Sequence, residues 1–460
     1  MASGSKSVTN LAVATRAKAK VSPARRAAFS ILSRVEEEGA FASVLLSQGL
    51  EALSGIDRAL THELTLGVLR WRLLLDSYLA HYSQRSLERV DLPVLIALRL
   101  GLYQLRFLSR VPAPAAINEA VELVRVARLR SADKFVNAVL RRALSEPDFD
   151  LLAKVEDPLQ KLAIETSHPR WLVERWADAF GLEHTRGFLR ANNEAAPVCF
   201  RLAGREPTTA EQSILEALTN SGGSLSASKV VNGAWRIIGA AGTLHQLADE
   251  GQVYIQDEAS QLVAHLVAPQ ALERILDVCA APGSKTTHLA TLTSDRAAII
   301  AGDLHVHRLR TVIQAVRLQG LSSISCVAFD GRHRIPLKKE SFDRVLVDAP
   351  CSGTGTLRRN PEIRWRIRPE DIVDLSARQG QLLANAAEMV RPGGRLVYST
   401  CSVETEENEA VIRSFLQDQP GFVCLPVPST ALPQSEYAIR MWPNLHGTDG
   451  FFIAVFERTL

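Results

Sequence analysis

Apolar residues recur at helical spacing through the first third of the chain. Such a pattern is typical of helices that bury one face in a bundle. Pro112 and Pro114 interrupt it, because proline lacks the amide hydrogen that a helix interior needs. The pattern therefore predicts an all-α domain over residues 21–150, with helices at Ala24–Val35, His62–Leu79, Leu92–Leu108, Asn118–Leu129 and Lys134–Leu144.

The pattern changes after the polar segment Glu146–Glu156, which is predicted to be a linker. Residues 165–252 mix helical and strand-like segments and predict a small α+β linker module. Its predicted elements are the helices Trp171–Phe180 and Ala210–Thr219 and the short strands Val198–Leu202 and Gly233–Gly239.

From residue 253 to residue 460, apolar β-branched runs alternate with helical segments. This alternation is typical of a doubly wound α/β domain with a parallel sheet. The predicted strands are Arg274–Cys279, Ala298–Asp303, Ser323–Asp330, Phe342–Asp348, Gly394–Thr400 and a closing strand at Phe451–Phe456. The chain is therefore predicted to be multidomain.

Composition and charge restrict the class of protein. With 22% charged and 46% hydrophobic residues, the 460-residue chain has the balance of a soluble globular protein. The net charge is only +3, but no acidic residue precedes Glu36, and residues 1–20 are predicted to form a disordered basic tail. No apolar run is long enough to cross a bilayer, and the six cysteines form no Cys-x-x-Cys pair. We therefore expect a cytoplasmic monomer without a membrane segment or a metal site.

Two of the predicted strands lead directly to a thiol. Cys351 follows Phe342–Asp348 by three residues, and Cys401 comes directly after Gly394–Thr400. Ligands of open α/β sheets bind outside the carboxyl ends of the strands. The pattern therefore places Cys351, Cys401 and the carboxylate of Asp348 at the working edge of the sheet.

The first predicted strand runs into a loop of small residues that opens a helix, and such loops let backbone amides approach a ligand. The loop has neither the glycines of a phosphate-binding loop nor those of a dinucleotide fingerprint. Asp303 ends the second strand, where a carboxylate can accept hydrogen bonds from ribose hydroxyls, and Asp330 ends the third, near an adenine edge. A nucleoside site without a phosphate cradle indicates S-adenosylmethionine. Its predicted residues are Cys279, Ala280, Ala281, Pro282, Gly283, Ser284, Lys285, Asp303, Asp330 and Asp348.

Two thiols beside a carboxylate suit methylation at C5 of a pyrimidine. That carbon is a poor nucleophile, but a thiolate that adds to C6 turns C5 into an enamine carbon able to attack a methyl group. Adenine amine methylation would favour Asn/Asp-Pro-Pro-Tyr/Phe where this chain has Asp348-Ala349-Pro350-Cys351. The residues alone do not rank the two cysteines. The alternative interpretation is that both are small core residues.

Two groups of motifs resemble known families. The segments ALTHELTLGVLRW, RLGLYQL, AAINEAVELV and KFVNAVLRR resemble the NusB-like helical domain of antitermination factors, which implies RNA contact. The segments LDVCAAPGSKT, VDAPCSGTGTLRRNPEIRW, YSTCSVETEENE and DGFF resemble the RNA cytosine-5 methyltransferase family. Together they resemble the bacterial 16S ribosomal RNA methyltransferases of the Sun/RsmB type, which implies a Rossmann-like class I methyltransferase domain.

The resemblance also implies roles for individual residues. Cys401 in the Thr-Cys motif is expected to be the nucleophile, Cys351 in the Pro-Cys motif to assist product release, and Asp348 to orient the base. Ser284 stands where the family usually has glycine. Guanidinium groups bind phosphates and an indole stacks on an unpaired base. The residues predicted to bind RNA on this basis are Arg358, Arg359, Arg364, Trp365 and Arg366. In the helical domain, Arg125, Arg128, Arg130, Arg141 and Arg142 are a second candidate surface.

Three functions therefore compete. The first is an S-adenosylmethionine-dependent cytosine-5 methyltransferase whose partner is 16S ribosomal RNA, free or in an early particle. The second is the same chemistry on transfer RNA or DNA. The third is a non-catalytic RNA-binding assembly factor that has kept a methyltransferase fold. The complete set of Asp348, Cys351 and Cys401 favours an enzyme.

Overall fold

The computed structural model describes residues 21–47, 49–50, 52–426 and 438–460, apart from the side chains of residues 207–209. The chain forms two compact units, with the boundary between Glu156 and Asp157. The basic tail predicted for residues 1–20 lies outside the described residues. In the part of the chain that is described, no helix combines the length and the apolar character that crossing a membrane requires.

The first unit is helical, as predicted. Its helices bury an apolar core that includes Leu64, Leu75, Leu98, Leu100 and Leu140, all fully buried. The helices are α1 (Pro23–Glu37), α2 (Ala42–Ser47), α3 (Gly55–Arg70), α4 (Arg72–Ser83), α5 (Leu92–Phe107), α6 (Ala113–Val126) and α7 (Asp133–Ser145).

Two helix boundaries in this unit differ from the prediction. The segment His62–Leu79 is not one helix, because the backbone of Trp71 leaves helical geometry at φ −101° and ψ 17°. The apolar pattern continues through this break, since α3 and α4 each bury their own face. Pro114 does not separate helices but lies in the first turn of α6, where its missing amide hydrogen has no intrahelical partner to lose.

The second unit opens with three helices, of which only the second was predicted. They are α8 (Pro158–Thr166), α9 (Arg170–Phe180) and α10 (Leu182–Ala191). Their apolar faces share a core with Leu357, Val403 and Trp442, which lie far along the chain. These helices therefore pack directly against the segments that follow the two strand-end cysteines.

A small antiparallel sheet follows, with strand order β2-β3-β1-β4. Its strands are β1 (Val198–Leu202), β2 (Ser224–Ala227), β3 (Ala234–Ile238) and β4 (Val253–Ile255), and its helices are α11 (Pro207–Asn220) and α12 (Ala241–Asp249). The α+β module predicted for this region is thus present. Strand β4 was assigned to the C-terminal domain from the sequence, but it pairs with β1, Arg201 lying opposite Tyr254.

The C-terminal part of the second unit contains a mixed sheet of eight strands within the described residues. Their order is β10-β12-β9-β8-β5-β6-β7, with β11 paired to β12. The strands from β7 to β9 are parallel, and β12 is antiparallel to β9. The strands are β5 (Arg274–Asp277), β6 (Ala298–Asp303), β7 (Ile324–Ala328), β8 (Phe342–Asp348), β9 (Val390–Thr400), β10 (Phe422–Cys424), β11 (Ile439–Met441) and β12 (Phe451–Arg458).

Helices cover both faces of this sheet, so that its central strands are buried on both sides. They are α13 (Glu258–Val267), α14 (Ser284–Leu292), α15 (Val306–Leu318), α17 (Pro369–Ala387) and α18 (Glu409–Asp418). Two short helices, α16 (Ile363–Arg366) and α19 (Pro443–His446), lie in the connecting segments. Strands β5 and β8 are parallel neighbours, although β6 and β7 separate them in sequence. The chain adds β6 and β7 on one side of β5 and then returns to add β8 on the other side. Ligands of doubly wound folds bind at such a switch point.

Candidate active site

The two strand-end cysteines meet at the carboxyl edge of the sheet. Strands β8 and β9 are parallel neighbours, with Asp348 opposite Ser399, so the loops that follow them leave the sheet side by side. The Sγ atoms of Cys351 and Cys401 lie 3.4 Å apart, and both residues are partly exposed. A thiol placed only to fill a core would have no reason to face a second thiol at the open edge.

Asp348 lies at the end of β8 and is held on both sides. Its Oδ2 accepts a hydrogen bond from Lys285 Nζ at 2.6 Å, and its Oδ1 accepts one from Ser399 Oγ at 2.7 Å. Lys285 is buried, and its ammonium group lies 5.3 Å from the ring centre of Phe451. The carboxylate is therefore fixed in orientation but keeps lone pairs for a further donor.

The surroundings of this edge raise the pKa of two neighbouring groups, for different reasons. Burial favours a lower pKa for Lys285, but the ion pair with Asp348 outweighs it and raises that pKa. The hydrogen bond between the two thiols, together with burial, raises the pKa of Cys351 well above its usual value. Cys351 therefore keeps its proton at neutral pH, and either thiol of the pair can donate a hydrogen bond to the other sulfur.

The loop predicted to hold the cofactor joins β5 to α14. Gly283 has φ +105°, a conformation that side chains rarely adopt, and its amide donates to the carbonyl of Ala280 at 2.7 Å. Asp277 is buried at the base of the loop and accepts a hydrogen bond from Thr286 Oγ1 at 2.7 Å. Burial raises the pKa of Asp277 to about 7 and the pKa of Cys279 well above its usual value. The thiol of Cys279 therefore keeps its proton at neutral pH, whereas Asp277 titrates close to neutrality.

The two other predicted carboxylates flank this loop. Asp303 is buried at the end of β6, where its Oδ1 accepts the amide hydrogen of His305 at 2.9 Å. Asp330 follows β7 and binds the guanidinium of Arg332 at 2.7 Å, which lowers the pKa of its carboxyl to about 2. Gly302 leaves no room for a side chain, because a Cβ atom there would lie 2.3 Å from the ring of Phe329.

These residues fit an adenosyl group. Besides its backbone donor, the carboxylate of Asp303 contacts the guanidinium of Arg308 at 3.4 Å, so lone pairs remain for a ribose diol. The small residues Ala280, Ala281 and Gly283 give close backbone access at the start of α14. Among the described residues, no group of three or more His, Cys, Asp or Glu side chains is arranged to hold a metal ion.

A direct backbone contact connects the loops around the cysteines. The amide of Gly355 donates to the carbonyl of Cys401 at 2.9 Å, and the amide of Gly450 donates to the carbonyl of Gly355 at 2.8 Å. A Cβ atom on Gly355 would lie 2.1 Å from the carbonyl oxygen of Gly450. Only glycine at position 355 allows this approach, which fixes the main chain of Cys401.

The RNA-binding prediction is wrong for Arg364 and Arg358. Arg364 is fully buried and donates to the carbonyl oxygens of Ser167 and Asn192 at 3.1 and 3.2 Å. Arg358 is 4% exposed and forms an ion pair with Asp449 at 2.8 Å. Both guanidiniums are engaged inside the protein, so neither is presented to a phosphate.

The other predicted RNA contacts have different surroundings. Arg359 is partly exposed, but it binds the carboxylates of Asp449 and Asp257 at 2.7 and 2.9 Å. Trp365 and Arg366 are half-buried on α16, and their contact with RNA remains a prediction. In the first unit, two of the candidate arginines are paired with acids, Arg125 with Asp133 and Glu122, and Arg142 with Glu146.

Of the four glutamates that follow Cys401, only Glu409 lies in the first turn of a helix, at the start of α18. Glu404 is buried and accepts a hydrogen bond from the indole of Trp176 at 2.9 Å. Glu407 is buried as well and binds Ser352 and Ser402, the residues that directly follow the two cysteines. The serine that follows each of the two cysteines was the sequence feature that could have indicated this contact.

Comparison with known proteins identifies matches over all three regions. The family model described as 16S rRNA methyltransferase RsmB/F matches residues 264–457. The NusB family matches residues 22–145, and the Methyltr_RsmF/B-like, ferredoxin-like domain matches residues 168–242. The predicted order of a NusB-like bundle, an α+β module and a methyltransferase domain is confirmed.

Individual relatives match over nearly the full length. The chain is 35% identical over 450 residues to the probable ribosomal RNA small subunit methyltransferase B of Bacillus subtilis, covering 95% of this chain and 99% of that protein. It is 36% identical over 439 residues to the ribosomal RNA small subunit methyltransferase B of Pseudomonas putida, covering 94% and 97%. Among solved structures, that of PH0851 superposes with a TM-score of 0.82 at 26% identity, covering 96% of this chain and all of that one.

Proposed function

The chain belongs to the 16S rRNA methyltransferase RsmB/F family, and from that premise we propose that it methylates C5 of a cytosine through a covalent bond between Cys401 and C6. It is a ribosomal RNA small subunit methyltransferase whose substrate is 16S ribosomal RNA. S-adenosylmethionine, when bound, supplies an electrophilic methyl group. The residues proposed to hold it are Asp303, Asp330 and the loop from Cys279 to Lys285.

The proposed chemistry assigns the first step to Cys401. Its thiolate adds to C6 of the cytosine, and the electrons of the C5–C6 double bond become available at C5 for attack on the methyl group. After transfer, the C5 proton is removed and the C6–S bond breaks, so that the electrons of the C5–H bond restore the double bond. Cys401 must therefore attack as a thiolate in the first step and leave as a thiolate in the last.

Asp348 is proposed to orient the base. A carboxylate can accept a hydrogen bond from the exocyclic amine of cytosine, and uracil lacks that donor. Because Lys285 and Ser399 already fix its two oxygens, Asp348 needs no reorganisation when the base enters. The same geometry favours cytosine over uracil, since uracil would face the carboxylate with a carbonyl oxygen.

Cys351 is proposed to assist release. Its raised pKa keeps it as a thiol, and its sulfur is in contact with the sulfur of Cys401. A hydrogen bond from this thiol stabilises the departing thiolate. Without that donor, attack and methyl transfer are still possible, but the C6–S bond of the adduct breaks slowly.

The contact between the two sulfurs is the observation that carries this proposal, and the fate of the covalent adduct tests it. Cys401→Ala is expected to show neither methylation nor an adduct on a denaturing gel with 16S ribosomal RNA. Cys351→Ala is expected to accumulate the adduct. Cys326→Ala, which changes a half-buried cysteine on β7, is the matched control and should behave as wild type. An adduct that persists in Cys401→Ala would overturn the assignment.

A further inference from the structure

A single buried carboxylate connects the two cysteine loops. Glu407 is fully buried between β9 and α18. One of its oxygens accepts the backbone amide of Ser352 at 2.8 Å and the amide of Gln379 at 2.9 Å. The other accepts the hydroxyl of Ser352 at 2.5 Å and the hydroxyl of Ser402. Each serine directly follows a cysteine, so Glu407 is hydrogen-bonded to both loops at the residue next to the cysteine. We call this set of hydrogen bonds from Ser352 and Ser402 to Glu407 the bridge.

The surroundings of this bridge make it rigid. The hydroxyl oxygens of Ser352 and Ser402 are 3.0 Å apart, within hydrogen-bond distance of each other, so the two serines and Glu407 form a closed ring of contacts. Gln379 on α17 also donates to the carbonyl of Pro350 at 2.9 Å, just before Cys351. Tyr398 on β9 donates to the backbone carbonyl of Glu407 at 2.6 Å, which fixes the carboxylate relative to the strand. Hydrogen bonds to a buried carboxylate are short and strong.

We propose that Glu407 is a positioning residue that keeps the sulfurs of Cys351 and Cys401 in contact by anchoring Ser352 and Ser402. This inference rests on the proposed roles of the two cysteines. Glu407 does not touch either sulfur and positions them through Ser352 and Ser402. Its charge also contributes to the raised pKa of Cys351, after the hydrogen bond with Cys401 and burial. Loss of the bridge lets the loops separate, which removes the thiol donor from the departing sulfur and slows release more than it weakens RNA or cofactor binding.

The chain offers a matched control for a purely structural role. Glu404 lies three residues earlier in the same loop and is equally buried, but its carboxylate binds Trp176 and Arg175. Removal of Glu404 therefore costs stability without cutting the bridge. The conservative variant Glu407→Gln keeps the bridge, because its amide oxygen can accept the two N–H donors and its NH₂ group can donate to a serine hydroxyl.

Phenylarsine oxide measures the thiol contact without RNA, cofactor or catalysis. It condenses with two thiols to form two As–S bonds and releases one water, and a neighbouring pair holds it far more tightly than separate thiols do. Binding to the full chain is measured by competition with a monothiol, and mass spectrometry of peptides confirms the bridge between Cys351 and Cys401. Cys351→Ser, which cannot bridge, sets the value for an isolated thiol.

The expected result is a loss of arsenical affinity of at least tenfold in Glu407→Ala. Glu407→Gln and Glu404→Ala are expected to stay within threefold of wild type. Methylation assays on the same proteins should show that Glu407→Ala lowers kcat, leaves KM for 16S ribosomal RNA within threefold, and regains most of its rate as Glu407→Gln. If Glu407→Ala does not fold, Ser402→Ala cuts one side of the bridge and should lose at least threefold in affinity.

Unchanged arsenical affinity in a folded Glu407→Ala, or in Ser402→Ala when that variant replaces it, would overturn the inference. An equal loss in Glu404→Ala would also overturn it, because the effect would then follow stability and not the bridge. These outcomes are separate from a failure of the proposed function. That failure would appear as methylation or an adduct in Cys401→Ala, whatever the arsenical affinity.

Discussion

The sulfur atoms of Cys351 and Cys401 are in contact at 3.4 Å although 50 residues separate the two cysteines along the chain. A disulfide requires a sulfur separation of about 2.05 Å, so a small movement of the loops is enough to form one. Two thiols held this close to each other are therefore also a site of oxidation.

We expect diamide to inactivate the RNA-free enzyme by at least about tenfold and dithiothreitol to restore it. In this reaction the two thiols lose two protons and two electrons, which reduce diamide to the hydrazine. Peptide mapping should find the bond between Cys351 and Cys401. Cys326→Ala should be inactivated at the wild-type rate. Inactivation that instead maps to Cys279 would contradict the prediction.

Asp277 should make the stability of the second unit depend on pH. Its pKa is raised from 3.8 to about 7 by burial, so between those values the folded state holds a proton that the unfolded state has lost. The stability contributed by the neutral carboxyl is complete below pH 3.8 and is lost as the pH rises towards about 7. Between these values the loss is roughly 1 kcal/mol per pH unit.

The variant Asp277→Asn tests this assignment, because an amide can accept the hydrogen bond of Thr286 but does not titrate. Urea unfolding from pH 5 to 8, without cofactor, should show wild type losing stability relative to the variant up to about pH 7 and running parallel to it above. Lys285 and Asp348 also act on Asp277, so their ion pair must be intact throughout. Parallel curves over the whole range would show that Asp277 ionises normally.

Arg364 should be required for stability and not for RNA affinity. Replacement by alanine leaves the carbonyls of Ser167 and Asn192 without this buried donor and opens a cavity. We expect Arg364→Ala to lower the free energy of unfolding by roughly 2–4 kcal/mol. The exposed Arg368 offers the control variant Arg368→Ala, for which about 0.5 kcal/mol or less is expected.

The same two variants decide whether Arg364 meets a phosphate. Filter binding to 16S ribosomal RNA should give the same salt dependence for folded Arg364→Ala as for wild type, because a buried guanidinium releases no counterion. A reduced salt slope with unchanged stability would restore the original RNA-binding prediction.

Asp303 should determine affinity for the methyl donor. Asn in its place keeps one oxygen for the amide of His305 but loses the second acceptor and the negative charge. We expect Asp303→Asn to weaken S-adenosylmethionine binding by roughly 10- to 100-fold in calorimetry, which corresponds to about 1.4–2.7 kcal/mol. Asp374→Asn on the exposed side of α17 should bind normally, and equal affinity in the two variants would place the ribose elsewhere.

Much of the fold could be predicted because its elements are encoded locally. The β-branched run Phe342–Asp348 and its neighbour β9 can be recognised without tertiary information, and parallel strands bring their carboxyl ends to one edge. The meeting of Cys351 with Cys401 follows from that rule. The ranking of the two cysteines does not follow from it and depends on the family.

The predictions that were wrong concern residues whose surroundings are set by partners far away in the sequence. A run of arginines after Cys351 has the pattern of a phosphate-binding surface. The partners of Arg364, however, are 197 and 172 residues away in sequence, at Ser167 and Asn192. The pairing of β4 with β1 is equally non-local, since Tyr254 meets Arg201 across the small module. Glu407 could not be distinguished from its neighbours, because acidic residues before a helix have a sufficient local explanation.

The contact between Gly355 and Gly450 has a consequence for engineering. The loop after β8 and the turn before β12 touch through the backbone at Gly355 and Gly450, and the ion pairs of Arg358 and Arg359 with Asp449 join them as well. An insertion or a graft in either segment would displace the other. Exchange of a single loop between relatives should therefore yield inactive chimaeras. A functional transplant has to carry both segments together, and natural variation in length is expected elsewhere on the molecule.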